Sequence, residues 1–216
     1  MFTGLIEEMG KIIEIDKKPG QAYVRIKCEK IFSETLIGHS ISVNGICLTV
    51  KEKHNKSLLF DVSSETSSRT TFDLWKSGLI VNLEQSLTPI SRIGGHFVQG
   101  HVDCLTGVLD IINEGSFQRI VFKLPENVSA FIVEKGPVAV DGTSLTVASC
   151  NNRSFEAAVI PETIRRTNIH TYRTGIMVNI EADLLAKYIE KIAYKRKDKN
   201  QNDFYSEENL KKLGYV

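Results

Sequence analysis

The sequence lacks an excess of either charge, and it lacks a long apolar run. Its 27 lysine and arginine residues nearly balance its 26 aspartate and glutamate residues, which argues against a nucleic-acid-binding surface or an affinity for anionic membranes. No apolar stretch approaches the roughly 20 residues that a transmembrane helix needs, and the start MFTGLIEEMG does not resemble an export signal. We therefore expect a cytoplasmic protein whose partners include neither nucleic acid nor membrane.

Cysteine and histidine pairs at metal-binding spacing are also missing. The four cysteines form no CxxC pair, and they are Cys28, Cys47, Cys104 and Cys150. This pattern favours neither a zinc site nor a disulfide framework, so we expect reduced thiols. His96 and His101 are five residues apart, whereas a zinc-binding HExxH helix places its histidines four apart. We expect no metal.

What the sequence does contain is an internal repeat. Residues 41–50, ISVNGICLTV, return 97 positions later at residues 138–147 as VAVDGTSLTV. The same offset relates Glu65 to Glu162, Arg69 to Arg166, Val81 to Val178, Glu84 to Glu181, and Gly10 to Gly107. One offset shared by strands and turns indicates two fused copies of one domain, related without net insertion.

The two copies differ at positions that carry chemistry. Ser144 stands where the first copy has Cys47, Asp141 stands where it has Asn44, and the first two residues have no similar counterpart in the second copy. Chain termini are often frayed, so the sequence leaves open whether this start is ordered. We interpret the repeat as a shared scaffold with two similar pockets and different reactive groups.

Short runs of β-branched and aromatic residues, separated by turn residues, predict the strands of each copy. In the first copy they cover residues 10–15, 22–28, 41–50, 57–62 and 80–83, and Asn44-Gly45 divides the third run into a hairpin. In the second copy they cover residues 107–112, 119–124, 138–147, 154–160 and 177–180. Such a series predicts an all-β barrel or sandwich in each copy.

After residue 183 the spacing of apolar residues changes from a strand pattern to a helical one. Apolar residues then fall on one helical face, and they are Leu184, Leu185, Tyr188, Ile189 and Ile192. This helix lies outside both repeats, so we expect its apolar face to dock on another subunit. Residues 206–213 are predicted to add one or two helical turns. The predicted domains are residues 1–93, 94–183 and 184–216.

Two features suggest chemistry without assigning it. His96 and His101 lie in a glycine-rich turn, which suits proton transfer near neutral pH beside a flat ligand. Cys47 follows a tight turn, where it is either a nucleophile or a small core residue. The residues alone leave both alternatives open.

Several motifs together resemble those of a known protein family. The start MFTGLIE, the repeated VNGICLTV and VDGTSLTV, the segment GGHFVQGHVD, and the paired SETSSRTT and PETIRRTN closely resemble the trimeric riboflavin synthase family, which has two lumazine-binding domains. The resemblance extends from residue 1 to about residue 195. It implies two tandem, similar six-stranded antiparallel Greek-key barrels and a C-terminal trimerisation helix.

The resemblance also implies an activity. Members of the family convert two molecules of 6,7-dimethyl-8-ribityllumazine into riboflavin and 5-amino-6-(ribitylamino)uracil, by moving a four-carbon unit from one to the other. No metal or other cofactor is implied. The expected assembly is a homotrimer, and lumazine synthase is a candidate partner.

The resemblance further implies which residues form the site. The expected catalytic group is His101, His96, Cys47, Ser144, Asp183 and Phe2, with Asp183 placed to orient Ser144 and His96 assisting His101. The first pocket is expected to use Gly4, Leu5, Ile6, Cys47, Leu48, Thr49, Asp61, Val62, Ser63, Ser64, Glu65 and Thr66. The second is expected to use Gly100, His101, Val102, Lys135, Ser144, Leu145, Thr146, Val159, Ile160, Pro161, Glu162, Thr163 and Ile164.

Two other classes of protein fit part of this pattern. A carrier or optical protein would hold lumazine or flavin in the same barrels without converting it. A flavin-dependent reductase would add a nucleotide-binding α/β domain, for which this chain has no room.

Overall fold

Two closed β-barrels follow one another along the chain in the computed structural model, which describes residues 1–18, 20–199 and 211. The first barrel consists of β1 Glu8–Asp16, β2 Tyr23–Lys27, β3 Ser40–Val43, β4 Ile46–His54, β5 Ser57–Asp61 and β6 Ile80–Gln85. The second consists of β7 Cys104–Glu114, β8 Phe117–Lys123, β9 Pro137–Val140, β10 Thr143–Cys150, β11 Ser154–Val159 and β12 Met177–Ala182.

Short helices occupy equivalent connections in the two barrels. Between β5 and β6 lie α1 Ser64–Arg69 and the 3₁₀ helix Thr71–Leu74, and between β11 and β12 lie α2 Pro161–Arg166 and the 3₁₀ helix Asn168–Thr171. A further 3₁₀ helix, Glu126–Phe131, links β8 to β9. The side chain of Ser63 caps α1 by accepting from the amide of Thr66, which satisfies one of the free N–H groups at a helix start.

The strands of both barrels pair in the same order. Around the first barrel the order is β1-β2-β5-β4-β3-β6, and around the second it is β7-β8-β11-β10-β9-β12, with antiparallel pairing throughout. Strands β3 to β5 follow one another through tight turns, and β6 returns beside β3, which is a Greek key. The predicted fold class is therefore confirmed, whereas the domain boundaries at residues 93 and 183 remain predictions.

Each barrel encloses its own apolar core. In β2, Val24 and Ile26 point inward and are fully buried, while Lys27 is exposed, as expected when side chains alternate across a strand. In the second barrel, Phe122 and Phe155 stack at the centre with ring centroids 5.0 Å apart. Closure of both sheets also leaves no long unpaired strand edge in either barrel.

The two copies are related by two offsets rather than one. Gly10 lies opposite Val81, whereas the equivalent Val178 lies opposite Thr106. Thr106 is therefore the structural counterpart of Gly10, 96 positions later. The predicted match between Gly10 and Gly107 is wrong.

One extra residue in the second copy causes this change of offset. Lys27 pairs with Ser57 and Lys123 pairs with Ser154, so the offset is still 96 at the ends of β2 and β8. The amide of Gly38 donates to Val50, and the amide of Lys135 donates to Val147, so the offset is 97 just before β3 and β9. The insertion thus lies in the β8–β9 connection, and the expectation of no net insertion is wrong.

The barrels touch through their most similar turns. Asn44-Gly45 and Asp141-Gly142 join equivalent hairpins, and all four residues have positive φ, as a type I′ turn requires. A Cβ placed on Gly45 would lie 2.8 Å from the amide nitrogen of Gly142, and one placed on Gly142 would lie 2.7 Å from that of Gly45. Only glycines allow this approach. We refer to these four residues as the turn contact.

Buried polar residues surround the turn contact with twofold-like symmetry. The amide of Asn168 donates to the side-chain oxygen of Asn82, at 2.6 Å. In the same way, the amide of Thr71 donates to the side-chain oxygen of Asn179, at 2.8 Å. Each of these bonds joins the two barrels, so these two buried amides find partners across the interface.

The symmetry is broken by one ionisable pair. In the second barrel the hydroxyl of Tyr172 donates to the carboxylate of Asp141, at 2.8 Å. In the first barrel Trp75 donates instead to the hydroxyl of Thr71, at 3.0 Å, and Asn44 replaces the acid. Burial raises the pKa of Asp141 to about 6, although the hydrogen bonds that its carboxylate accepts oppose this rise.

The helix predicted after residue 183 is present as α3, Leu184–Lys199. Tyr188, Ile189 and Ile192 form an exposed apolar stripe along it. The helical turns predicted for residues 206–213 lie outside the described residues except at Lys211. None of the described helices is long and apolar enough to cross a membrane.

Candidate active site

The chain start is an ordered part of the molecule. Phe2 and Val98 form an antiparallel bridge, in which the amide of Phe2 donates to Val98 at 2.7 Å and the amide of Val98 donates to Phe2 at 3.1 Å. Both side chains are fully buried and pack with Ala139 and Cys47. The terminus is therefore not frayed, and Phe2 has a counterpart after all, in Val98 at the offset of 96.

Beyond this bridge, each segment crosses to the opposite barrel. The carbonyl of Gly4 accepts from the amide of Ser144, and the carbonyl of Gly100 accepts from the amide of Cys47, both at 2.8 Å. We call residues 3–6 the leading segment and residues 99–102 the middle segment. Each segment forms one wall of a cavity whose other wall belongs to the other copy.

The crossing corrects our grouping of the pocket residues. We expected Gly4, Leu5 and Ile6 beside Cys47, but they line a cavity with Ser144. We expected Gly100, His101 and Val102 beside Ser144, but they line a cavity with Cys47. Both assignments are wrong for the same physical reason, which is that the chain passes from one barrel onto the other at the Phe2–Val98 bridge.

The first pocket lies on the first barrel and consists of two adjoining cavities of about 320 and 370 Å³. Its walls combine β4, the end of β5, helix α1 and the middle segment. The predicted residues that line it are Cys47, Leu48, Thr49, Asp61, Ser63, Glu65, Thr66, Gly100, His101 and Val102.

The second pocket lies at the equivalent place on the second barrel and has a volume of about 410 Å³. Its walls combine β10, helix α2 and the leading segment. The predicted residues that line it are Gly4, Leu5, Ile6, Ser144, Ile160, Glu162 and Thr163. Both volumes suit a small heterocycle, since ligand pockets commonly measure about 300–1,000 Å³.

A histidine and a serine meet at the second pocket. His96 Nδ1 lies 2.7 Å from the Ser144 hydroxyl oxygen. Burial lowers the pKa of His96, while the charge of Asp183 acts in the opposite direction. The ring is therefore neutral near pH 7, and Nδ1 is able to accept the Ser144 proton. Gly95 permits this contact, because a Cβ there would lie 2.1 Å from the carbonyl oxygen of Thr3.

The first pocket holds a different pair. Cys47 is half-buried and His101 is exposed, and both line the same cavity. Within one chain His96 bonds to Ser144 and His101 lines the cavity of Cys47, and the expected cooperation of the two histidines remains a prediction. The equivalent barrels thus present thiol with histidine on one side and hydroxyl with histidine on the other.

Comparison with known proteins agrees with this architecture. A family model described as the lumazine binding domain matches residues 3–86 and again residues 99–183. The starts of these matches are 96 residues apart and the ends 97 apart, as the inserted residue requires. The chain is 38% identical to riboflavin synthase of Photobacterium phosphoreum, over the full length of both chains.

The chain belongs to the riboflavin synthase family. Other full-length relatives are the riboflavin synthases of Actinobacillus pleuropneumoniae, at 37% identity, and of Bacillus subtilis strain 168, at 36%. Among solved structures, LumP complexed with riboflavin has a TM-score of 0.79 at 24% identity, covering 84% of this chain and 99% of LumP. LumP complexed with 6,7-dimethyl-8-(1'-D-ribityl)lumazine has a TM-score of 0.77. These two structures show a shared fold.

Several residues expected from the family lie behind the pocket walls. Val62, Leu145 and Val159 are buried in the barrel cores, so they would meet a ligand only through their backbone. Lys135 lies in the turn before β9 with a φ of 64°, and its ammonium group is 3.8 Å from the carboxylate of Glu134. The substrate-binding role of these residues remains a prediction, as it does for Ser64, Thr146, Pro161 and Ile164.

Sequence reasoning missed two arginines that line the pockets. Arg69 lines the first pocket and Arg166 lines the second. Each forms an ion pair one helical turn back, Arg69 with Glu65 at 3.4 Å and Arg166 with Glu162. The signal was present, since both arginines and both glutamates match at the 97-residue offset.

Proposed function

We propose that this chain is a riboflavin synthase. It takes two molecules of 6,7-dimethyl-8-ribityllumazine and transfers a four-carbon unit from one to the other. The products are riboflavin and 5-amino-6-(ribitylamino)uracil, which together contain all the atoms of the two reactants, so the reaction consumes no oxidant or reductant.

The observation that carries the proposal is the presence of pockets at equivalent places on the two barrels, with different reactive groups. Equivalent walls suit two copies of one molecule. One cavity is lined by a thiol and a histidine, and the other by a hydroxyl to which the buried His96 bonds, which suits a donor and an acceptor with different roles. Holding both reactants in place removes the entropy cost of their encounter, which is worth on the order of 7–11 kcal/mol in well-oriented reactions.

We assign roles within this reaction as follows. His101 accepts a proton from the 7-methyl group of one lumazine, whose anion is delocalised over the heterocycle. Ser144, with His96 as its proton acceptor, activates water or adds to the other ring, and Asp183 supports the pair through its charge. Cys47 contacts the ring in the first pocket. The support for these roles is the 2.7 Å contact of His96 with Ser144 and the position of His101 beside Cys47.

We propose a homotrimer in which the first pocket of one subunit faces the second pocket of its neighbour. The exposed apolar stripe at Tyr188, Ile189 and Ile192 supports this assembly, since such stripes commonly form subunit contacts. We also propose a cytoplasmic location, in keeping with four cysteines that are free thiols. Association with lumazine synthase remains a prediction from the family resemblance.

The decisive test mixes purified protein with 6,7-dimethyl-8-ribityllumazine and follows the absorbance of riboflavin and the release of the pyrimidine product. We expect one molecule of each product for every two reactants consumed. A His101→Ala variant should form riboflavin more slowly while still binding lumazine. Tight binding of lumazine with no riboflavin formed by the wild-type protein would instead indicate a carrier protein and overturn the proposal.

A further inference from the structure

We propose that Glu84 and Glu181 are positioning residues that hold the leading and middle segments against the opposite barrel. Each carboxylate would thereby set the shape of the pocket on the barrel to which it does not belong. This inference rests on the proposed function, because it supposes that both pockets bind lumazine or riboflavin.

Glu84 on β6 is almost fully buried and binds the leading segment through three hydrogen bonds. Its Oε1 accepts from both the amide and the hydroxyl of Thr3, each at 2.6 Å. Its Oε2 accepts from the amide of Gly4, at 2.9 Å. Two successive backbone amides thus point at one carboxylate, which fixes the path of the chain immediately before it reaches Ser144.

Glu181 on β12 repeats this arrangement with the middle segment. Its Oε1 accepts from the amide of Gln99 at 2.6 Å. Its Oε2 accepts from the amides of Gly100 and His101, at 2.9 and 3.1 Å. The bond to the His101 amide fixes the backbone of a residue to which we assign proton transfer.

A carboxylate is the side chain that this arrangement requires. Its two oxygens only accept, and the segments present only donors to them, whereas the amide of a glutamine would turn an N–H group toward backbone N–H groups. Burial raises the pKa of Glu84, against the lowering effect of the bonds from Thr3 and Gly4. Burying a carboxylate is costly for folding, so an apolar residue would suffice if the position served only to fill the barrel.

The leading and middle segments pack closely against the reactive side chains of the opposite barrel. A Cβ placed on Gly4 would lie 2.6 Å from the Cβ of Ser144, and one placed on Gly100 would lie 2.6 Å from the Cβ of Cys47. Both glycines have φ near 80°, so their closeness depends on an unusual backbone path. The carboxylates hold this path at the position where it meets the reactive side chains.

The test measures riboflavin affinity at each pocket separately in the full-length protein. The backbone amide of Thr66 reports on the first pocket and that of Thr163 on the second, by their NMR shifts during titration. We expect Glu84→Gln to weaken binding at Thr163 about 10-fold or more, and Glu181→Gln to weaken it at Thr66 by a similar factor. The pocket on the substituted barrel itself should stay within about twofold of wild type.

The matched control is Glu8→Gln. The Glu8 carboxylate also accepts two backbone amides, from Glu29 at 2.6 Å and Ile31 at 3.0 Å, but none of these three residues lines either pocket. The Glu8→Gln variant should leave riboflavin affinity unchanged at both reporters. If Glu84→Gln fails to fold, Thr3→Val removes the hydroxyl bond to Glu84, together with the bond that this hydroxyl accepts from the Leu5 amide at 3.2 Å, and should still weaken the Thr163 site, by about threefold.

Equal weakening at both reporters, or weakening confined to the substituted barrel, would overturn the inference and reduce these carboxylates to parts of the fold. If the wild-type protein binds riboflavin at both reporters but the glutamate variants do not show this crossed pattern, the inference alone is contradicted. A wild-type protein that binds at neither reporter and forms no riboflavin contradicts the proposed function and the inference together.

Discussion

The two barrels agree in backbone and differ in chemistry. They share strand order, the pair of short helices before the last strand, and even the glycines of the turn contact. They differ at Cys47 and Ser144 in the pockets and at Asn44 and Asp141 in the interface between the barrels. The comparison teaches that backbone path and reactive groups are separable within one chain, so each barrel serves as an internal control for the other.

The largest expected effect comes from breaking the turn contact with Gly142→Ala. The added Cβ would lie 2.7 Å from the backbone of Gly45, at a φ of 77°, so strain and collision combine. We expect the free energy of unfolding to fall by about 4 kcal/mol, measured by urea denaturation.

Gly115→Ala is the matched control for this substitution. Gly115 also has positive φ, but nothing lies within 4 Å of the added Cβ, so we expect a loss of about 1 kcal/mol from backbone strain alone. Equal losses in the two variants would show that the contact between the barrels contributes nothing.

The next largest effect is the pH dependence contributed by Asp141, an acid that the first barrel lacks at the equivalent turn. The pKa of Asp141 is raised from 3.8 to about 6, and one pKa unit corresponds to about 1.4 kcal/mol. The folded protein holds this proton more tightly than the unfolded chain does. The contribution of Asp141 to the free energy of unfolding should therefore fall by about 3 kcal/mol as pH rises from about 4 to about 6, then stay level.

Asp141→Asn should abolish this fall, and Asn44→Asp should add a second one by placing an acid at the equivalent turn. Urea denaturation at several pH values measures both. The hypothesis fails if the wild-type protein and Asp141→Asn have the same pH dependence.

A smaller effect on the reaction barrier is expected for the contact between His96 and Ser144. His96→Gln removes the ring nitrogen that lies 2.7 Å from the Ser144 hydroxyl oxygen and to which we assign its proton, so kcat should fall about 100-fold, or about 2.7 kcal/mol. Riboflavin affinity should stay within about threefold, since the contact serves the reaction more than binding. His54→Gln, at an exposed position on β4, is the control. An unchanged kcat in His96→Gln would exclude the proton transfer.

The smallest effect is expected when the two pockets are made more alike. Cys47→Ser gives both barrels a hydroxyl, and because Cys47 packs with Phe2, Val98 and Ala139, we expect kcat to fall less than about 10-fold. Cys150→Ser, outside both pockets, is the control. A loss greater than about 100-fold would assign Cys47 an essential reactive role.

The fold was largely predictable from local patterns. Alternating residues such as Val24 and Ile26 predicted strands, and Asn44-Gly45 predicted a hairpin, because these signals act over a few residues. The one-residue insertion was not predictable, since it lies in the β8–β9 connection, where the copies share no motif that would reveal the shift.

The pocket partners were harder to predict than the pocket residues. His96 and Ser144 are 48 residues apart, and nothing in the sequence shows that the chain crosses between barrels at Phe2. The grouping expected from the family resemblance placed each segment with its own copy, and the tertiary structure places each segment on the other barrel. Arg69 and Arg166 could have been predicted as pocket residues, because they match at the repeat offset of 97 residues.

The bridge between Phe2 and Val98 also bears on how such a protein arose. A lone ancestral module would have had an open pocket, because the strip of chain that closes it belongs to a second module. Two identical modules that exchanged these strips would each have been complete. Joining their genes would turn an exchange between molecules into an exchange within one chain, and only then could the two sites diverge independently.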